Sequence, residues 1–490
     1  MNWPAIYPEL LLLTMACVVT LVDLFVTDKR RLATYLLTQA TLLVVAVMHL
    51  YYFYAGELVY SMQAMVVSDP LGHLLGFFAS IATAVTLAYA QPYVAERDML
   101  KGELFTLSMF SLLGILVMLS ANNFLIVYLG LELMSLSLYA LVALRRDHAP
   151  ATEAAMKYFV LGALASGFLL YGLSMMYGAT GSLDISEVFQ AIGMGQINPS
   201  VLTLGLVFIV AGLAFKLGAV PFHMWVPDVY QGAPTAVTLL IAGAPKLAAF
   251  AITIRLLVAG LLGLAADWQQ MLVLLSVGSM ALGNLAAIAQ TNLKRMLAYS
   301  TIAQMGFMLL GLCSGVAYVN TVSAANAYSS SMFYLVTYVF TTLGTFGMII
   351  VLSRRGFEAE QIGDFKGLAR RSPWLAGVMA IFMFSLAGIP PTVGFYAKLS
   401  VLQALVSTNV VGLIWLAVVA VLLSLVGAYY YLRVVKTMYF DEPTDNAPLV
   451  VNGQTHALMA LNGAAVLMFG LLPGGLMDLC AQAIVKALAT

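Results

Sequence analysis

Long apolar stretches separated by short polar segments run along the whole chain of 490 residues. A helix needs about 20 apolar residues to cross the hydrocarbon core of a bilayer, and about fourteen stretches meet that requirement. Numbered here as spans 1 to 14, they cover residues 8–26, 32–54, 72–90, 104–120, 122–144, 156–178, 201–220, 235–258, 268–289, 296–316, 326–352, 373–406, 409–432 and 455–478. The pattern predicts an all-α integral membrane protein with about 14 transmembrane helices, forming a single polytopic domain over residues 1–490.

The composition supports this prediction and excludes several classes of protein. Hydrophobic residues make up 62% of the chain and charged residues only 9%, against about 25% charged in an ordinary soluble domain. The 22 Lys and Arg balance the 22 Asp and Glu, so no basic face for nucleic acid is expected. Cys17, Cys313 and Cys480 are far apart, so no iron–sulfur or four-cysteine zinc site is expected in this chain.

The basic residues predict the orientation of the spans. With fourteen spans, 17 of the 22 basic residues fall on one side of the membrane. These are Lys29, Arg30, Arg31, Arg97, Lys101, Arg145, Arg146, Lys157, Lys294, Arg295, Arg354, Arg355, Lys366, Arg370, Arg371, Arg433 and Lys436. By the positive-inside rule that side is cytoplasmic, and both termini are then periplasmic.

Four charged residues fall inside the predicted spans. Glu132 lies in span 5, Lys216 near the end of span 7, Lys246 in span 8 and Lys398 in span 12. A charge at a helix centre costs at least ~2.5 kcal/mol even on lenient scales. A pathway for protons or ions is therefore the favoured interpretation, and a snorkelling side chain or a structural ion pair is the alternative.

Prolines interrupt the spans that carry these lysines. Span 12 would be about 51 Å long as an unbroken helix, against a hydrocarbon core of ~30 Å, and Pro390 and Pro391 lie at its centre. Pro221 follows Lys216, and Pro245 directly precedes Lys246. Irregular backbone at membrane depth is stable only where protein or water satisfies it, so we expect these breaks to bring water to the lysines. A proline kink beside an unrelated lysine is the alternative.

The breaks also recur at a regular place. If spans 4–8 (residues 104–258) and spans 9–13 (residues 268–432) are two units of five helices, the interrupted helix is the fourth in each. Because five is odd, the second unit must cross the membrane in the opposite direction, which is the inverted repeat of many transporters. The agreement is partial, since the lysine precedes the break in span 7 and follows it in span 12. Within the first unit we expect Glu132 and Lys216 to face each other, separated by about 6–8 Å or by one water.

Two motifs resemble the antiporter-like subunits of respiratory complex I. Residues 215–235 read FKLGAVPFHMWVPDVYQGAPT, which matches a long and specific signature of that family. Residues 294–302 read KRMLAYSTI and match a second signature. The resemblance extends over all fourteen spans.

Further features separate the chain from two of the family's three paralogous branches. Residues 388–395, GIPPTVGF, are followed by Lys398 where one branch has a glutamate. Few residues follow span 14, so the long lateral helix of a second branch is not expected. The strings LGLELMS at residues 129–135 and AAMKYF at residues 154–159 are typical of the third branch.

The resemblance implies a proton-translocating membrane-arm subunit of bacterial NADH–quinone oxidoreductase in the cell inner membrane. It implies that Lys216 stores a proton, Glu132 tunes its affinity, Lys246 links to the cytoplasmic side and Lys398 passes charge outward or to the next subunit. FMN, iron–sulfur clusters and quinone are implied for the assembled complex and not for this chain. The implied partners are the other membrane-arm subunits, including paralogous antiporter-like ones, the peripheral redox arm and the lipid bilayer.

The remaining polar residues have weaker interpretations. His223 and Asp228 follow span 7 on the predicted cytoplasmic side, where they are candidates for gating proton uptake, with packing at the helix end as the alternative. The histidines at 49, 73, 148 and 456 show no metal-binding spacing and are expected near the membrane interfaces. For the chain as a whole, the alternatives are a stand-alone cation/proton antiporter of the same ancestry and a passive membrane scaffold.

Overall fold

The computed structural model describes residues 2–195, 197–316, 321–408, 411–443, 449 and 451–488, with backbone alone at 321–323 and 411–412. Over this part the chain forms twenty α-helices and one antiparallel hairpin of two short strands. The helices are α1 (Tyr7–Phe25), α2 (Leu32–Ala55), α3 (Pro70–Ala95), α4 (Gly102–Ser120), α5 (Phe124–Val142), α6 (Ala149–Thr180), α7 (Ile185–Gly193), α8 (Pro199–Leu217), α9 (Trp225–Gly232), α10 (Thr235–Ala242), α11 (Ala244–Thr253), α12 (Ala265–Ile288), α13 (Leu293–Gly315), α14 (Thr321–Leu352), α15 (Leu368–Arg371), α16 (Pro373–Ala387), α17 (Val393–Val406), α18 (Val411–Phe440), α19 (Gly453–Leu471) and α20 (Gly474–Leu488). The strands are β1 (Val59–Ser61) and β2 (Val66–Ser68), and a π-helical segment, Ile254–Gly260, continues α11.

The helices begin where polar residues and prolines favour a start. The side chains of Asp69, Asn123 and Asn292 accept hydrogen bonds from backbone N–H groups in the first turns of α3, α5 and α13. Pro199 and Pro373 stand at the first position of α8 and α16, where a missing N–H costs no intrahelical bond. The short polar segments of the sequence therefore delimit the apolar helices locally.

Twelve helices or continuous helical runs in the described part are long and apolar enough to cross a membrane, or thirteen if the bent pair α19 and α20 is one span. The predicted span 12 is the pair of shorter apolar helices α16 and α17. Each predicted apolar stretch thus coincides with a helix, a helical run or a broken pair, although residue 409, the predicted start of span 13, lies outside the described residues.

One predicted span needs a correction. Residues 455–478 do not form a continuous helix, because α19 ends at Leu471 and α20 leaves it at 80°. Pro473 lacks the N–H that would continue α19, and Gly474 and Gly475 follow it. The discontinuities that the sequence predicted are present. Helix α8 stops at Leu217, before Pro221, and α16 stops at Ala387, before Pro390. Helix α10 stops at Ala242, and α11 begins one residue before Pro245.

Burial separates an interior group of helices from a peripheral one. In the helical run Thr235–Gly260 (α10, α11 and the π segment), all residues of the most apolar 18-residue stretch are buried. In the corresponding stretch of α18, within Leu413–Phe440, only 28% of the residues are buried. The runs Leu293–Gly315 and Ala324–Leu352 are also mostly buried. The predicted lysine Lys246 therefore belongs to the central helix of the bundle.

Contacts between loops agree with the predicted grouping into two sides. On the predicted cytoplasmic side, Glu358 accepts from Arg97 at 3.0 Å and lies 3.5 Å from Arg145. On the other side, Asn122 N–H donates to the Met65 carbonyl at 2.9 Å. Loops assigned to one side of the membrane thus contact each other.

The two broken helices end in the same backbone motif. At the end of α8, Gly218 has φ +79° and its N–H bonds to the carbonyls of residues 214 and 215; Gly388, at the end of α16, has φ +85° and bonds to residues 384 and 385. This left-handed cap suits glycine, which has no Cβ to clash. The cap is followed three residues later by Pro221 in one case and Pro391 in the other.

A second feature also occurs twice. The N–H of Phe124 donates to the Leu183 carbonyl, and the N–H of Leu293 donates to the Glu360 carbonyl. Each bond belongs to an isolated antiparallel bridge, Asn123 with Asp184 and Asn292 with Gln361. The first bridge lies on the predicted outer side and the second on the predicted cytoplasmic side. The grouping into two units of opposite orientation stays a prediction.

Candidate functional site

Lys246 binds a backbone carbonyl that a proline leaves without a partner. In a continuous helix the Leu217 carbonyl would accept the N–H of residue 221, but Pro221 has none. The Lys246 ammonium takes that place, with its Nζ 2.8 Å from the Leu217 oxygen and 3.3 Å from the Lys216 oxygen. Lys246 is only 1% exposed. A buried ammonium therefore caps the broken end of α8.

Lys398 does the same at the other break. The carbonyls of Leu386 and Ala387 would accept the N–H groups of residues 390 and 391, and both are prolines. The Lys398 ammonium lies 3.1 Å from the first oxygen and 3.0 Å from the second. It also donates to the Ser424 hydroxyl at 2.7 Å.

The two lysines share one electrostatic arrangement. The carboxyl end of a helix carries roughly half a negative charge, which favours a nearby cation. Lys246 reaches that end of α8 from a neighbouring helix, whereas Lys398 folds back from α17 onto α16. The sequence separates lysine and break differently in the two cases, but in space each ammonium binds the last two carbonyls before the glycine that ends its broken helix.

The direct hydrogen-bond partner of Lys216 is a serine. Its ammonium donates to the Ser135 hydroxyl at 2.8 Å. Glu132 lies three residues earlier on α5, so it shares a helix face with Ser135 at a rise of about 4.5 Å. The Glu132 Oε1 atom is buried and has no hydrogen-bond partner among the described residues. The direct contact is therefore lysine to serine, and the predicted facing of Glu132 and Lys216 stays a prediction.

Lys216 and Lys246 border one small cavity. It measures about 20 Å³ and is also lined by Tyr158, Trp225 and Pro245. A polar cavity of that size holds about one water molecule. A single water in this cavity would connect the two ammonium groups.

A buried polar network extends from Lys398 into α13 and α14. Gln304 donates to the Leu386 carbonyl at 3.0 Å, the same oxygen that Lys398 binds. The Tyr334 hydroxyl donates to the Gln304 side chain, and the Tyr338 hydroxyl donates to Thr301 at 2.7 Å. These hydroxyl and amide groups line the space between the second break and the centre of the bundle.

Asp228 anchors a charged cluster on the predicted cytoplasmic side. It accepts from Lys157 at 2.8 Å and from Arg295 at 2.7 Å. Burial by itself raises the pKa of the carboxyl, but these two hydrogen bonds outweigh it and lower the Asp228 pKa below its usual value. The cluster borders a cavity of about 420 Å³, also lined by Tyr93, Arg145 and Glu358 among others.

His223 lies away from the lysines in the turn after α8. It is half-buried, and its Nδ1 has no hydrogen-bond partner among the described residues. Burial lowers the pKa of His223 below its usual value. Of the two residues predicted as possible gates, only Asp228 lines the large cavity.

Sequence reasoning missed the neutral partners of the lysines. Ser135 follows Glu132 by three residues within a string that the sequence singled out, so the helical period could have identified it. Ser424 and Gln304 had no comparable signal, because ordinary polar residues occur in many spans. Their importance depends on contacts between distant helices.

The described residues contain no group of three or more His, Cys, Asp or Glu side chains that could hold a metal ion. Cys17 is exposed and the other two cysteines are buried and free.

The fold defines an antiporter-like polytopic membrane subunit. A family model described as NADH:quinone oxidoreductase/Mrp antiporter, transmembrane, matches residues 121–424. The chain belongs to this family.

Its relatives specify a branch. NADH-quinone oxidoreductase subunit N of Herminiimonas arsenicoxydans is 63% identical over 494 residues, covering 100% of this chain and 99% of that protein. The protein of the same name from Nitrosomonas europaea is 54% identical over 478 residues, covering 98% and 97%. This is the branch that the sequence motifs indicated, and the resemblance inferred from them is confirmed.

Solved structures of related membrane subunits have the same fold. A chain in respiratory complex I from Thermus thermophilus with bound aureothin matches with a TM-score of 0.79 and 30% identity, over 97% of this chain and 99% of that one. A chain of the Mrp complex from Dietzia sp. matches with a TM-score of 0.85 over 99% and 97%, at 20% identity. The second match is a likeness of fold alone.

Proposed function

We propose that the chain is the proton-translocating subunit N of the membrane arm of NADH–quinone oxidoreductase, and that Glu132, Lys216, Lys246 and Lys398 carry the protons. FMN, the iron–sulfur clusters and the quinone site belong to partner subunits, so electron transfer reaches this chain as a mechanical or electrostatic change. The protein is a multi-pass protein of the inner membrane, with both termini periplasmic. A topology reporter fused after Thr490 tests that orientation, and a cytoplasmic signal would contradict it.

One observation carries the assignment of the lysines. In the described part of the chain, none of the ammonium groups of Lys216, Lys246 and Lys398 forms a salt bridge, and all their hydrogen bonds go to neutral oxygens. Burying an unpaired charge is expensive, so a purely structural role favours a carboxylate partner. Three lysines held only by carbonyls and hydroxyls fit groups that change protonation state.

The serine partners suit such a change. A hydroxyl accepts a hydrogen bond from an ammonium and donates one to a neutral amine. The Ser135 hydroxyl now donates to the Leu131 carbonyl at 2.6 Å while it accepts from Lys216. Rotation of this hydroxyl would keep Lys216 hydrogen-bonded after its proton leaves, and Ser424 can serve Lys398 in the same way.

The charged cavity around Asp228 is the proposed cytoplasmic uptake region. It opens on the side where the basic loops lie and contains carboxylates that concentrate protons near the bundle. The other predicted possible gate, His223, does not line this cavity and stays a separate candidate for gating.

The experiment is NADH-driven proton pumping by the assembled complex in proteoliposomes. We expect Lys216→Ala and Lys398→Ala to reduce pumping at least ten-fold. Lys436→Met is the control, because that lysine is exposed and pairs with Asp441. Full pumping by the lysine-to-alanine variants in an assembled complex would indicate a passive scaffold. Cation–proton exchange by the purified chain alone would favour the stand-alone antiporter.

A further inference from the structure

Two buried histidines meet at the outer end of the bundle, away from Lys216, Lys246 and Lys398, which are called the lysine row below. The Nδ1 atoms of His49 on α2 and His73 on α3 are 3.0 Å apart, and the rings are 2% and 6% exposed. The sequence predicted only an interfacial position for these histidines and gave no indication that the two rings are hydrogen-bonded to each other. They lie outside residues 121–424, the part that the family model matches.

The pair belongs to a larger polar cluster. His73 Nε2 is hydrogen-bonded to the Ser68 hydroxyl at 2.7 Å. The opposite end, His49 Nε2, is buried without a partner among the described residues, as is Glu9 Oε2. Glu9, His49 and His73 line one small cavity that Ser120 also borders. Two unpartnered polar atoms in a shared cavity mark a place where a proton carrier can bind.

We propose that Ser68, His73, His49 and Glu9 form an outer proton relay, through which protons leave the bundle on the periplasmic side. This inference rests on the proposed function, because a relay requires protons to be delivered by the chain.

The geometry of the two rings permits relay. A neutral imidazole has one N–H donor and one acceptor nitrogen. If His73 donates from Nδ1 to His49, it accepts from Ser68 at Nε2; if His49 donates, His73 gives its Nε2 hydrogen to Ser68. Both arrangements keep the His49–His73 and His73–Ser68 hydrogen bonds, and only Nε2 of His49 stays without a partner among the described residues. A proton added to one end can therefore leave from the other with no movement of the rings.

The charges near the two histidines do not strongly oppose an additional proton on either ring. Arg255, in the π-helical segment, pairs with Asp69 at 2.9 Å, and both are nearly buried. The two charges cancel, so they do not strongly repel a protonated imidazole. The other titratable neighbours are Glu9 from α1, which attracts it, and Tyr52 from α2, whose ring stacks on His73 with centroids 5.2 Å apart.

The same helical run connects the relay to the lysine row. Arg255 follows Lys246 by nine residues, a rise of about 13.5 Å. On the adjoining α4, Ser111 precedes Ser120 by nine residues, and its hydroxyl is buried without a partner among the described residues. The Ser111 hydroxyl lies at about the depth of Lys246, and it can pass a proton from the lysine row towards the histidine relay.

Substitution of Gly76 offers a way to displace the His49 ring. A Cβ placed on Gly76 would lie 2.7 Å from the Cε1 atom of His49. Gly76→Ala therefore displaces the imidazole without removing a titratable group, and alanine favours the helix. Gly178→Ala is the matched control, because a Cβ there meets nothing within 4 Å.

The test uses the assembled complex in proteoliposomes with the peripheral arm outside, so that the periplasmic side faces the lumen. Proton release into the lumen is measured while lumenal pH is varied and external pH is held constant. We expect His49→Gln, His73→Gln and Gly76→Ala to slow release at least two-fold and to remove or shift its dependence on lumenal pH. His456→Gln, an exposed histidine stacked on Trp374, and Gly178→Ala should behave like the wild type.

Slower release with an unchanged lumenal pH profile would indicate a structural role and overturn the relay, as would wild-type release in all relay variants. The Lys216→Ala variant separates this outcome from the failure of the proposed function. If Lys216→Ala blocks pumping and the histidine variants do not, only the relay is wrong. If Lys216→Ala pumps normally, the proposed function fails as well.

Discussion

Lys246 donates a hydrogen bond to the backbone carbonyl of Lys216, with 3.3 Å between nitrogen and oxygen. The same ammonium lies 2.8 Å from the carbonyl of Leu217, which Pro221 leaves without an N–H donor. One lysine thus completes the end of the helix that carries the other. Lys246 therefore has both a structural role at the helix end and a proposed role in proton transfer, and substitutions of Lys246 can separate the two roles.

We expect Lys246→Arg and Lys246→Ala to fail in different ways. Arginine keeps a cation at the helix end but does not give up its proton, so the complex should assemble while pumping falls at least ten-fold. Alanine also leaves two buried carbonyls unsatisfied, at a cost of about 1–3 kcal/mol each, so assembly should fall too. Native gels and proton pumping measure the two effects. Normal pumping by the arginine variant would show that Lys246 does not release a proton.

We expect Glu132 and Lys216 to act as one unit. Opposite charges ~6–8 Å apart attract by about 2–3 kcal/mol at an effective dielectric of ~20. Glu132→Gln and Lys216→Ala should each reduce pumping strongly, and the double variant should lose much less than the sum of the two losses. Strictly additive losses would mean that the two side chains act independently.

Ser135→Ala tests the hydroxyl separately. It removes the acceptor of Lys216 while leaving both charges in place. We expect an assembled complex with pumping reduced about ten-fold or more, because one net hydrogen bond to a charged group contributes about 1.5–3 kcal/mol and about 1.4 kcal/mol is a factor of ten. Ser135→Thr retains a hydroxyl and is the matched control. Equal pumping by the alanine and threonine variants would exclude the hydroxyl from the mechanism.

Replacing Pro390 and Pro391 by alanine should disturb Lys398. Two new N–H groups would compete for the carbonyls of Leu386 and Ala387, which the Lys398 ammonium now binds. We expect the complex to assemble and its pumping to fall. Unchanged pumping in a correctly assembled complex would remove the break from the mechanism.

The Asp228 cluster should give a defined pH dependence of stability. The pKa of Asp228 is lowered in the folded protein, so the unfolded state takes up its proton first as pH falls. The stabilisation is therefore fully present well above the unfolded pKa of ~3.9 and is lost as pH falls through the lower folded value. Thermal unfolding of wild type and Asp228→Asn should differ by a constant amount from pH 5 to pH 7, and this difference should shrink at lower pH. A difference that grows on acidification would contradict the sign.

The amino-acid sequence alone determined the membrane architecture and the charged candidates. An apolar stretch of about 20 residues predicts a membrane-spanning helix wherever it lies in the chain, because the required length depends only on the thickness of the bilayer. A lysine in such a stretch is conspicuous for the same reason, and a tandem proline breaks a helix through its own missing N–H groups. Glu132, Lys216, Lys246 and Lys398, and the breaks beside three of them, followed from these local rules.

Only the tertiary structure decided what those residues contact. Lys246 and Lys398 stand at different distances from their prolines in the chain, yet each binds the carbonyls that a proline leaves free. Ser424 and the histidine pair at 49 and 73 had no local signal, because a hydrogen bond between helices depends on how distant spans pack and rotate against each other. Hydropathy and helix-breaking act within one segment, whereas the partner of a buried polar atom is set by the three-dimensional arrangement of all of them.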